Sequence, residues 1–411
     1  MSDLILKLSP SPRSTHSPHQ SVEPKRDVVE MSGDPAPSLA VDISDHSIEV
    51  MQMTTEQEVL RFGRTDLPKG VVQGGVIEKP DTLAQQLERT IEAMRPNLPK
   101  GGHRPKKAVT CLPETVTYSR AFQVPQMMSE SQLVGRVYHE LTTSVPYEST
   151  ELVWDVRHEP WGSGEYVICV AAPAAIVDVY QNVFSKLDIR DLSIESALLS
   201  LARSLGLVRS NVTPQSLSLI LDAGAHTMDI GVFTSNGLLL GSYSIPFGAE
   251  TLIREMAVRS NMSAAQVRDV WVGSGVTGGG AISSSLISQM LTPSMEKIRR
   301  IIEHSQGQHE VECTEIILVG GMSLTPGISE YFDSALSIRT RVGEPLKQIV
   351  HRNLLGSRQA VLYAQVIGLG LVSSSEKTSE VNLAHTEESS DPPEGASSLR
   401  AKLFNLLTSG G

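Results

Sequence analysis

Two aspartates, Asp42 and Asp222, each end an apolar run that is typical of a strand, and each is followed by a short polar turn and a second apolar run. After Asp222, Gly224 lets the backbone turn tightly and Thr227 can offer a hydroxyl to an anion. The pattern predicts a hairpin that cradles a phosphate group. An ordinary meander with a polar turn would use the same residue types, so one copy alone does not decide between the two.

The chain carries this unit twice, at residues 39–53 and 217–246. Both copies have the same order of apolar strand, aspartate, polar turn and second strand, and nearly half of the chain separates them. Such spacing is expected of two related half-domains that face each other over a cleft, whereas a short tandem repeat would be much closer.

A third segment, at residues 315–332, joins an apolar strand to Gly320-Gly321, a Pro-Gly pair ending at Gly327, and a helix. The paired glycines would let a ligand approach bare backbone at the carboxyl end of a strand, where α/β folds place their sites. The alternative is that these glycines only permit tight packing of the helix that follows.

The elements that position these residues alternate as in an α/β protein. Strands are predicted at about 39–43, 47–53, 108–112, 166–171, 217–221, 228–234, 238–245 and 315–319. Helices are predicted at about 81–95, 129–143, 174–187, 195–205, 249–259, 283–304 and 326–336. The glycine-rich run at 273–280 lacks the Lys and Ser/Thr spacing of a Walker loop, which favours a mobile connection.

The three segments, in this order, resemble the two phosphate motifs and the adenosine motif of the actin-like ATPase superfamily. Further stretches are similar to the type IV pilus assembly protein PilM family and its relative, the cell-division protein FtsA. These stretches are residues 67–94, 108–157, 241–257 and 363–371. The resemblance covers residues 39–372.

The resemblance implies an actin-like, ribonuclease H-like duplicated α/β fold of two domains with a small inserted subdomain and disordered tails. The first half would comprise residues 39–111 and 191–215, and the second half residues 216–372. The inserted subdomain would comprise residues 112–190.

The resemblance also implies ATP and magnesium as ligands. Asp42 and Asp222 match the magnesium positions, and Gly224 and Thr227 match the second phosphate loop. Gly320, Gly321 and Gly327 match the adenosine motif.

The first phosphate loop departs from the family pattern of Asp-x-Gly followed by a lysine. Ser44 replaces the glycine, Asp45 and His46 follow, and Glu49 stands where the lysine is expected. Because like charges in a confined site disfavour an anionic ligand, these carboxylates predict weakened nucleotide binding.

Glu195 resembles the acidic residue of the superfamily's connecting motif, which could orient an attacking water. Its alternative role is that of a helix-capping carboxylate. No Ser-His-Asp or Cys-His order stands out in the sequence, so hydrolysis is expected to be weak or absent.

The function expected from the resemblance is a scaffold of a type IV pilus, type II secretion or competence assembly platform. Its main partner would be a single-pass inner-membrane protein, whose short cytoplasmic peptide lies in a groove beside the inserted subdomain. A motor ATPase and a platform protein are further expected partners. The alternatives are an actin-fold ATPase or small-molecule kinase, and an FtsA-like cell-division membrane anchor.

Composition narrows the classes of partner. The formal charge of −11 and the pI near 5.5 argue against a nucleic-acid partner. Three scattered cysteines are too few for a disulfide framework or a zinc site. The sequence shows neither a membrane span nor a signal peptide. A cytoplasmic protein is therefore expected, and the resemblance implies that partners hold it at the inner membrane.

Both ends of the chain have the composition of disordered tails, at residues 1–38 and from about 373 to 411. The last residues carry an apolar stripe at helical spacing, formed by Leu399, Leu403, Leu406 and Leu407. The partner peptide of PilM-like proteins typically has an Asn-Leu-Leu core, and this tail contains Asn405-Leu406-Leu407 and Val381-Asn382-Leu383. The hypothesis follows that the tail mimics the partner and occupies its groove.

Overall fold

The computed structural model describes residues 37–96, 105–125, 128–148, 151–161, 164–208, 216–351, 356, 359–374 and 381–384. The predicted N-terminal tail lies outside these residues except for its last two. The apolar stripe at 399–407, the Asn405-Leu406-Leu407 sequence and most of the predicted C-terminal tail also lie outside them.

The strands of the first part of the chain are β1 (Leu39–Ile43), β2 (Ser47–Met53), β3 (Val59–Asp66), β4 (Val72–Gln73), β5 (Val76–Ile77), β6 (Lys107–Leu112), β7 (Tyr118–Val124), β8 (Leu152–Trp161), β9 (Gly164–Pro173) and β10 (Asp191–Ser196). Those of the second part are β11 (Leu217–Ala223), β12 (Met228–Thr234), β13 (Leu239–Ile245), β14 (Gly278–Gly279), β15 (Ile282–Ser283), β16 (Cys313–Val319) and β17 (Thr340–Val342). The helices are α1 (Pro80–Glu92), α2 (Glu130–Ser144), α3 (Ala174–Ser185), α4 (Ala197–Ser204), α5 (Ala249–Ser260), α6 (Ala264–Ser274), α7 (Ser284–His309), α8 (Ile328–Leu336) and α9 (Ala364–Ser373).

The two halves repeat one sheet pattern. The first sheet has the order β10-β6-β1-β2-β3, with β2 antiparallel and β6 parallel to β1. The second sheet begins β17-β16-β11-β12-β13, with β12 antiparallel and β16 parallel to β11. All residues of β1 and β2 are buried, as expected of strands covered on both faces. The predicted duplication is therefore present, and it gives Asp42 and Asp222 equivalent places near the ends of β1 and β11.

Strands β7, β8 and β9 lie in the predicted inserted subdomain, residues 112–190, here called the inserted segment. They do not form a separate sheet. They extend the second sheet in the order β13-β7-β9-β8, through a pairing of Gly241 with Arg120. Helix α2 covers them and buries Leu133, Val137 and Leu141 in a small core of its own. A Ser129 and Gln132 capping box begins this helix, because each side chain binds the backbone N–H of the other residue.

Several predicted elements differ from the structure. The helix predicted at 195–205 begins only at Ala197, because residues 191–196 pair in parallel with β6. The glycine-rich run at 273–280, predicted to be a mobile connection, contains a 3-10 turn at Gly275–Thr277 and strand β14, which pairs with β15 in a short hairpin. The predicted elements do not include strands β3, β7, β8 and β17 or helices α6 and α9.

Helix α9 packs closely on α4 and thereby reaches the space between the halves. A Cβ atom on Gly368 would lie 1.9 Å from the Ser200 carbonyl oxygen, so no side chain fits there. The Arg203 guanidinium of α4 also donates to the Gly368 carbonyl oxygen at 3.3 Å. Glycine at 368 is therefore required for the position of α9.

The Gly368→Ala substitution should lower the urea midpoint of unfolding, because overpacking against backbone costs about 1–3 kcal/mol. Gly307→Ala in α7 is the matched control, since no atom lies within 4 Å of the place that a Cβ would take there, and alanine favours a helix by about 1 kcal/mol. Equal midpoints for Gly368→Ala and the wild type would contradict the close α4–α9 packing.

Candidate functional site

One cavity is lined by residues of both halves and collects most of the predicted site. It lies at the β1–β2 turn, the β11–β12 turn, the end of β16 and the start of α9. The predicted site residues that line it are Asp42, Ser44, Asp222, Gly224, Thr227, Gly320 and Gly321. Gly327 is not among the lining residues and instead begins α8 with φ +75°.

Asp42, which is buried, and Asp222, which is partly buried, both line this cavity. Burial raises the pKa of Asp42 well above its usual range, and the charges of Glu49 and Asp222 raise it further. Burial likewise raises the pKa of Asp222 to about 7, with a contribution from Asp229. These carboxyls therefore hold protons that an exposed aspartate would release.

Asp229 is the next carboxyl beside the pair, directly opposite Asp222 on β12. Its pKa is raised to about 6, because burial outweighs the hydroxyl hydrogen bonds from Ser244, at 2.5 Å, and Thr227. Thr227, predicted to offer its hydroxyl to an anion, lies beside this carboxyl and helps to oppose the rise in its pKa.

Ser44 closes the first turn with its hydroxyl. The Ser44 Oγ accepts hydrogen bonds from the backbone N–H groups of Ser47, at 3.0 Å, and His46, at 3.3 Å. The Ser44 N–H in turn donates to the Ser47 carbonyl oxygen at 2.9 Å. The residue that replaces the family glycine thus makes the turn through its side chain and not through backbone freedom.

Asp45 also has partners that reduce its effect on an anionic ligand. Its carboxylate accepts from the backbone N–H groups of Gly74, at 2.9 Å, and Gly75, at 3.4 Å. Both glycines have positive φ, and they form the turn between β4 and β5. Two amides that could face a phosphate are therefore bound to a carboxylate of the chain itself.

Glu49 is neutralised by Arg64, a cavity residue that the sequence prediction missed. The two side chains form an ion pair and are 3% and 19% exposed, respectively. Burial raises the pKa of Glu49, and the Arg64 charge opposes this rise. Arg64 thus brings positive charge to the cavity from β3, where Glu49 and Arg64 are direct cross-strand partners.

The turn of the second hairpin is hydrogen-bonded to the start of helix α5. Gly224 N–H donates to the Thr227 carbonyl oxygen at 2.9 Å and closes the turn. The N–H groups of Ala249 and Glu250 donate to the carbonyl oxygens of Gly224 and Ala225, respectively. The turn therefore caps the α5 N-terminus, which uses two of the helix's unpaired donors.

Two histidines, one from each hairpin, meet across the cavity. The rings of His46 and His226 have centroids 4.9 Å apart. Burial, followed by the proximity of His226, lowers the pKa of His46. The two histidines lie in turns that are far apart in the sequence. Their contact therefore cannot be predicted from local sequence patterns and is found only in the folded structure.

Glu195 is 1% exposed and forms an ion pair with Arg203, and it does not line the cavity among the described residues. It pairs with Cys111 in the β10–β6 register, while Arg203 also holds the Gly368 carbonyl oxygen. The N-cap residue of α4 is Ser196, not Glu195, and the Ser196 side chain makes no capping hydrogen bond. In this structure Glu195 therefore anchors α4 and α9, and its predicted water-orienting role stays a prediction.

The donor set suits a hydrated magnesium ion better than a directly coordinated metal. Across the described ranges, no group of three or more His, Cys, Asp or Glu side chains is arranged to hold a metal. Magnesium keeps several water ligands and needs only one or two carboxylates, which Asp42 and Asp222 could supply once deprotonated.

Among the helices of the described ranges, none has both the length and the apolar composition needed to span a bilayer.

Comparison with known proteins agrees with the predicted family. A family model described as type IV pilus assembly protein PilM matches residues 40–373. The chain is similar to a solved PilM-PilN type IV pilus biogenesis complex, with 17% identity, a TM-score of 0.69, and coverage of 83% of this chain and 100% of that chain. The predicted actin-like α/β fold is confirmed.

Two other similar structures have lower TM-scores. One is the ethanolamine utilization protein EutJ from Carboxydothermus hydrogenoformans, with 14% identity, a TM-score of 0.49, and coverage of 82% of this chain and 90% of that chain. The other is MreB5 of Spiroplasma citri bound to AMPPNP, with 13% identity, a TM-score of 0.46, and coverage of 81% and 94%. No curated protein matches the chain.

The Asp222→Asn substitution should stabilise the protein at pH 8 more than at pH 5. The folded state keeps the Asp222 proton up to about pH 7, whereas the unfolded chain releases it near pH 4. The wild type therefore loses stability as pH rises through this window, and an uncharged amide avoids the loss. Melting temperatures at both pH values measure the effect.

The exposed substitution Asp81→Asn is the control for this experiment, since Asp81 is 85% exposed in its side chain. Its effect on the melting temperature should differ little between the two pH values. An Asp222→Asn effect that is the same at pH 5 and pH 8 would contradict the raised pKa of Asp222.

Proposed function

Because the chain belongs to the PilM family of type IV pilus assembly proteins, we propose that it is a scaffold that binds a single-pass inner-membrane protein through that partner's cytoplasmic peptide. The observation that carries the proposal is the match over residues 40–373, which includes both halves and the inserted segment. The similar solved structure is a PilM-PilN complex, which supports a protein partner for this chain as well.

The partner peptide is proposed to lie in a groove beside the inserted segment, between β10 of the first sheet and β8 of the second. Both strands are at the end of their sheets in the described part of the chain, so their outer backbone groups face away from the ladder. An added extended peptide supplies hydrogen bonds to such an edge, and alternate side chains supply specificity. Through this partner the protein would be cytoplasmic and peripheral to the inner membrane, near a motor ATPase and a platform protein.

Magnesium and ATP are proposed to bind in the cavity between the halves as a structural or switching ligand. Asp42 and Asp222 would hold the hydrated ion, whose charge stabilises their deprotonated forms and offsets that of the phosphates. Gly320, with φ +76°, keeps the backbone beside Asp222 free of a side chain, since a Cβ there would lie 2.3 Å from the Asp222 Oδ1. Arg64, in its ion pair with Glu49, lines the same cavity.

The cavity offers little for turnover. Glu195 is held by Arg203, and the carboxyls that line the floor keep protons near neutral pH. A general base needs to reach its water and be deprotonated at the working pH. We therefore propose that ATP hydrolysis is weak or absent. The alternative function is an actin-fold ATPase or kinase, which measurable ATP turnover would favour.

Calorimetric titration of Mg-ATP into the full-length chain should show binding that the Asp222→Ala substitution abolishes, because one of the two ion-holding carboxylates is lost. Asp81→Ala, on the surface of α1, should bind like the wild type. The same samples should release no phosphate above the rate of the Asp222→Ala variant. Turnover in the wild type alone would replace the scaffold proposal with an ATPase, and absence of heat would refute a nucleotide ligand.

The probe is a fluorescent peptide with the cytoplasmic sequence of the single-pass inner-membrane pilus assembly protein that the same genome encodes. It should bind the purified chain in an anisotropy titration. A scrambled peptide of the same composition should not bind. Deletion of the gene should also remove surface pili in electron micrographs, and the wild-type gene should restore them. Normal pili in the deletion strain, or equal binding of both peptides, would overturn the proposed function.

A further inference from the structure

Residues 381–384 return from the end of α9 to the edge of the first sheet. Their sequence, Val-Asn-Leu-Ala, is preceded by SSSEKTSE at 373–380 and followed by HTEESSD at 385–391. The four residues are thus an apolar sequence within a polar one. Val381 and Leu383 are 1% and 0% exposed, respectively, and both belong to the main hydrophobic core.

The segment binds the edge of β10 through both outer backbone groups of Ile194. The Leu383 N–H donates to the Ile194 carbonyl oxygen at 2.7 Å. The Ile194 N–H donates to the Asn382 side-chain oxygen at 2.9 Å. Since Ile194 is fully buried, these bonds satisfy backbone groups that would otherwise be left without a partner at a sheet edge.

Asn382 also connects the two sheets. Its backbone N–H donates to the Asp155 Oδ2 on β8 at 2.8 Å, and its side-chain oxygen also accepts from the Ala384 N–H at 3.0 Å. The asparagine therefore bridges an edge strand of the first sheet and an edge strand of the second. An apolar residue on each side of it is inserted into the core, which is the arrangement of a bound extended peptide.

We propose that residues 381–384 are an intramolecular ligand of the groove between β10 and β8, and that an extended partner peptide binds the same groove only by displacing them. The proposal rests on the proposed function for the identity of the partner, and it adds a competitor for that partner within the chain itself. The self-docking itself is independent of that identity.

The tether explains how so short a segment can compete. Only residues 375–380 separate Ser374 from Val381, and a short tether gives an effective concentration of about 1 mM. If the free segment binds with a Kd of about 10 μM, the tethered copy weakens an incoming peptide about 100-fold. The sequence on both sides of the segment is polar. Release of the segment would therefore expose Val381 and Leu383 but would remove no helix or strand of either half.

The Leu383→Asp substitution in the full-length chain should open the groove, because a carboxylate in the apolar core is strongly disfavoured. The probe is a fluorescein-labelled peptide of residues 378–388, TSEVNLAHTEE. Its affinity for the Leu383→Asp chain should exceed that for the wild type by about 10- to 100-fold. Val258→Asp is the matched control, since Val258 is 79% exposed on α5 and its replacement should leave the affinity at the wild-type value.

Two further variants test the groove itself. Adding Asp155→Ala to Leu383→Asp should reduce the gained affinity, because the probe loses the acceptor for its asparagine N–H. Val381→Asp is a second opening substitution, because Val381 is 1% exposed, and it leaves the Asn382 acceptor in place. Faster hydrogen exchange at the Ile194 amide in that variant reports release of the segment without any added peptide. Equal probe affinity in wild type and Leu383→Asp, together with an unchanged Ile194 amide, would overturn the self-docking.

The partner peptide separates this proposal from the proposed function. It should compete with the probe for the Leu383→Asp chain and bind that chain more tightly than the wild type. Binding of equal strength to both chains, without competition, would refute the shared groove and leave the scaffold function standing. Failure to bind either chain would refute the scaffold function, whereas probe binding to Leu383→Asp would still support the self-docking.

Discussion

The structure depends on a conflict of like charges that the duplicated fold creates. Each half carries an aspartate near the end of its central strand, and packing the halves together brings Asp42, which is buried, and Asp222, which is partly buried, into one cavity. Two desolvated carboxylates at one site cannot both ionise at low cost. The surrounding groups reduce this cost: Arg64 pairs with Glu49, glycine amides bind Asp45, and hydroxyls bind Asp229. Protons retained on the aspartates neutralise what is left.

The same strands connect this cavity to the peptide groove. Glu195 and Ile194 are neighbours on β10: Glu195 holds Arg203, which binds α9 beside the cavity, and Ile194 binds residues 381–384. A ligand that moves α9 or the cavity floor would therefore act on elements in contact with the groove. These contacts supply a physical route by which a ligand in the cavity could affect peptide binding in the groove. The coupling free energy between the two binding events is the quantity to measure.

The sequence predicted the parts of the fold that depend on local pattern. The strands that carry Asp42 and Asp222, with their turns, occur where the apolar runs and glycines placed them, and seven of the eight predicted nucleotide-site residues line one cavity. Gly327 is the eighth, and it begins a helix outside the lining. The assignment of these residues to a nucleotide stays a prediction.

What the sequence could not predict arises from contacts between distant segments. Arg64 was not predicted as a site residue, because β3 has a mixed burial pattern and was not predicted as a strand. Without that strand, the cross-strand pairing of Arg64 with Glu49 could not be predicted. Asp45 was expected to repel phosphate, yet it binds amides of a turn about thirty residues later. Residues 191–196 were in part predicted to be helical, and their strand conformation comes from pairing with β6. Docking of residues 381–384 was suggested by their resemblance to a partner motif, but its partners, Ile194 and Asp155, are apparent only in the structure.

The most direct test of the buried carboxyl cluster is a carboxyl ¹³C NMR titration of the free protein labelled at aspartate, with Asp42→Asn, Asp222→Asn and Asp229→Asn used for assignment. We expect Asp222 and Asp229 to titrate near pH 7 and 6, respectively, and Asp42 to titrate well above the usual aspartate range. If all three resonances titrate near the ordinary aspartate pKa of about 3.9, the carboxyls are neither buried together nor protonated, and the cleft is not organised around them.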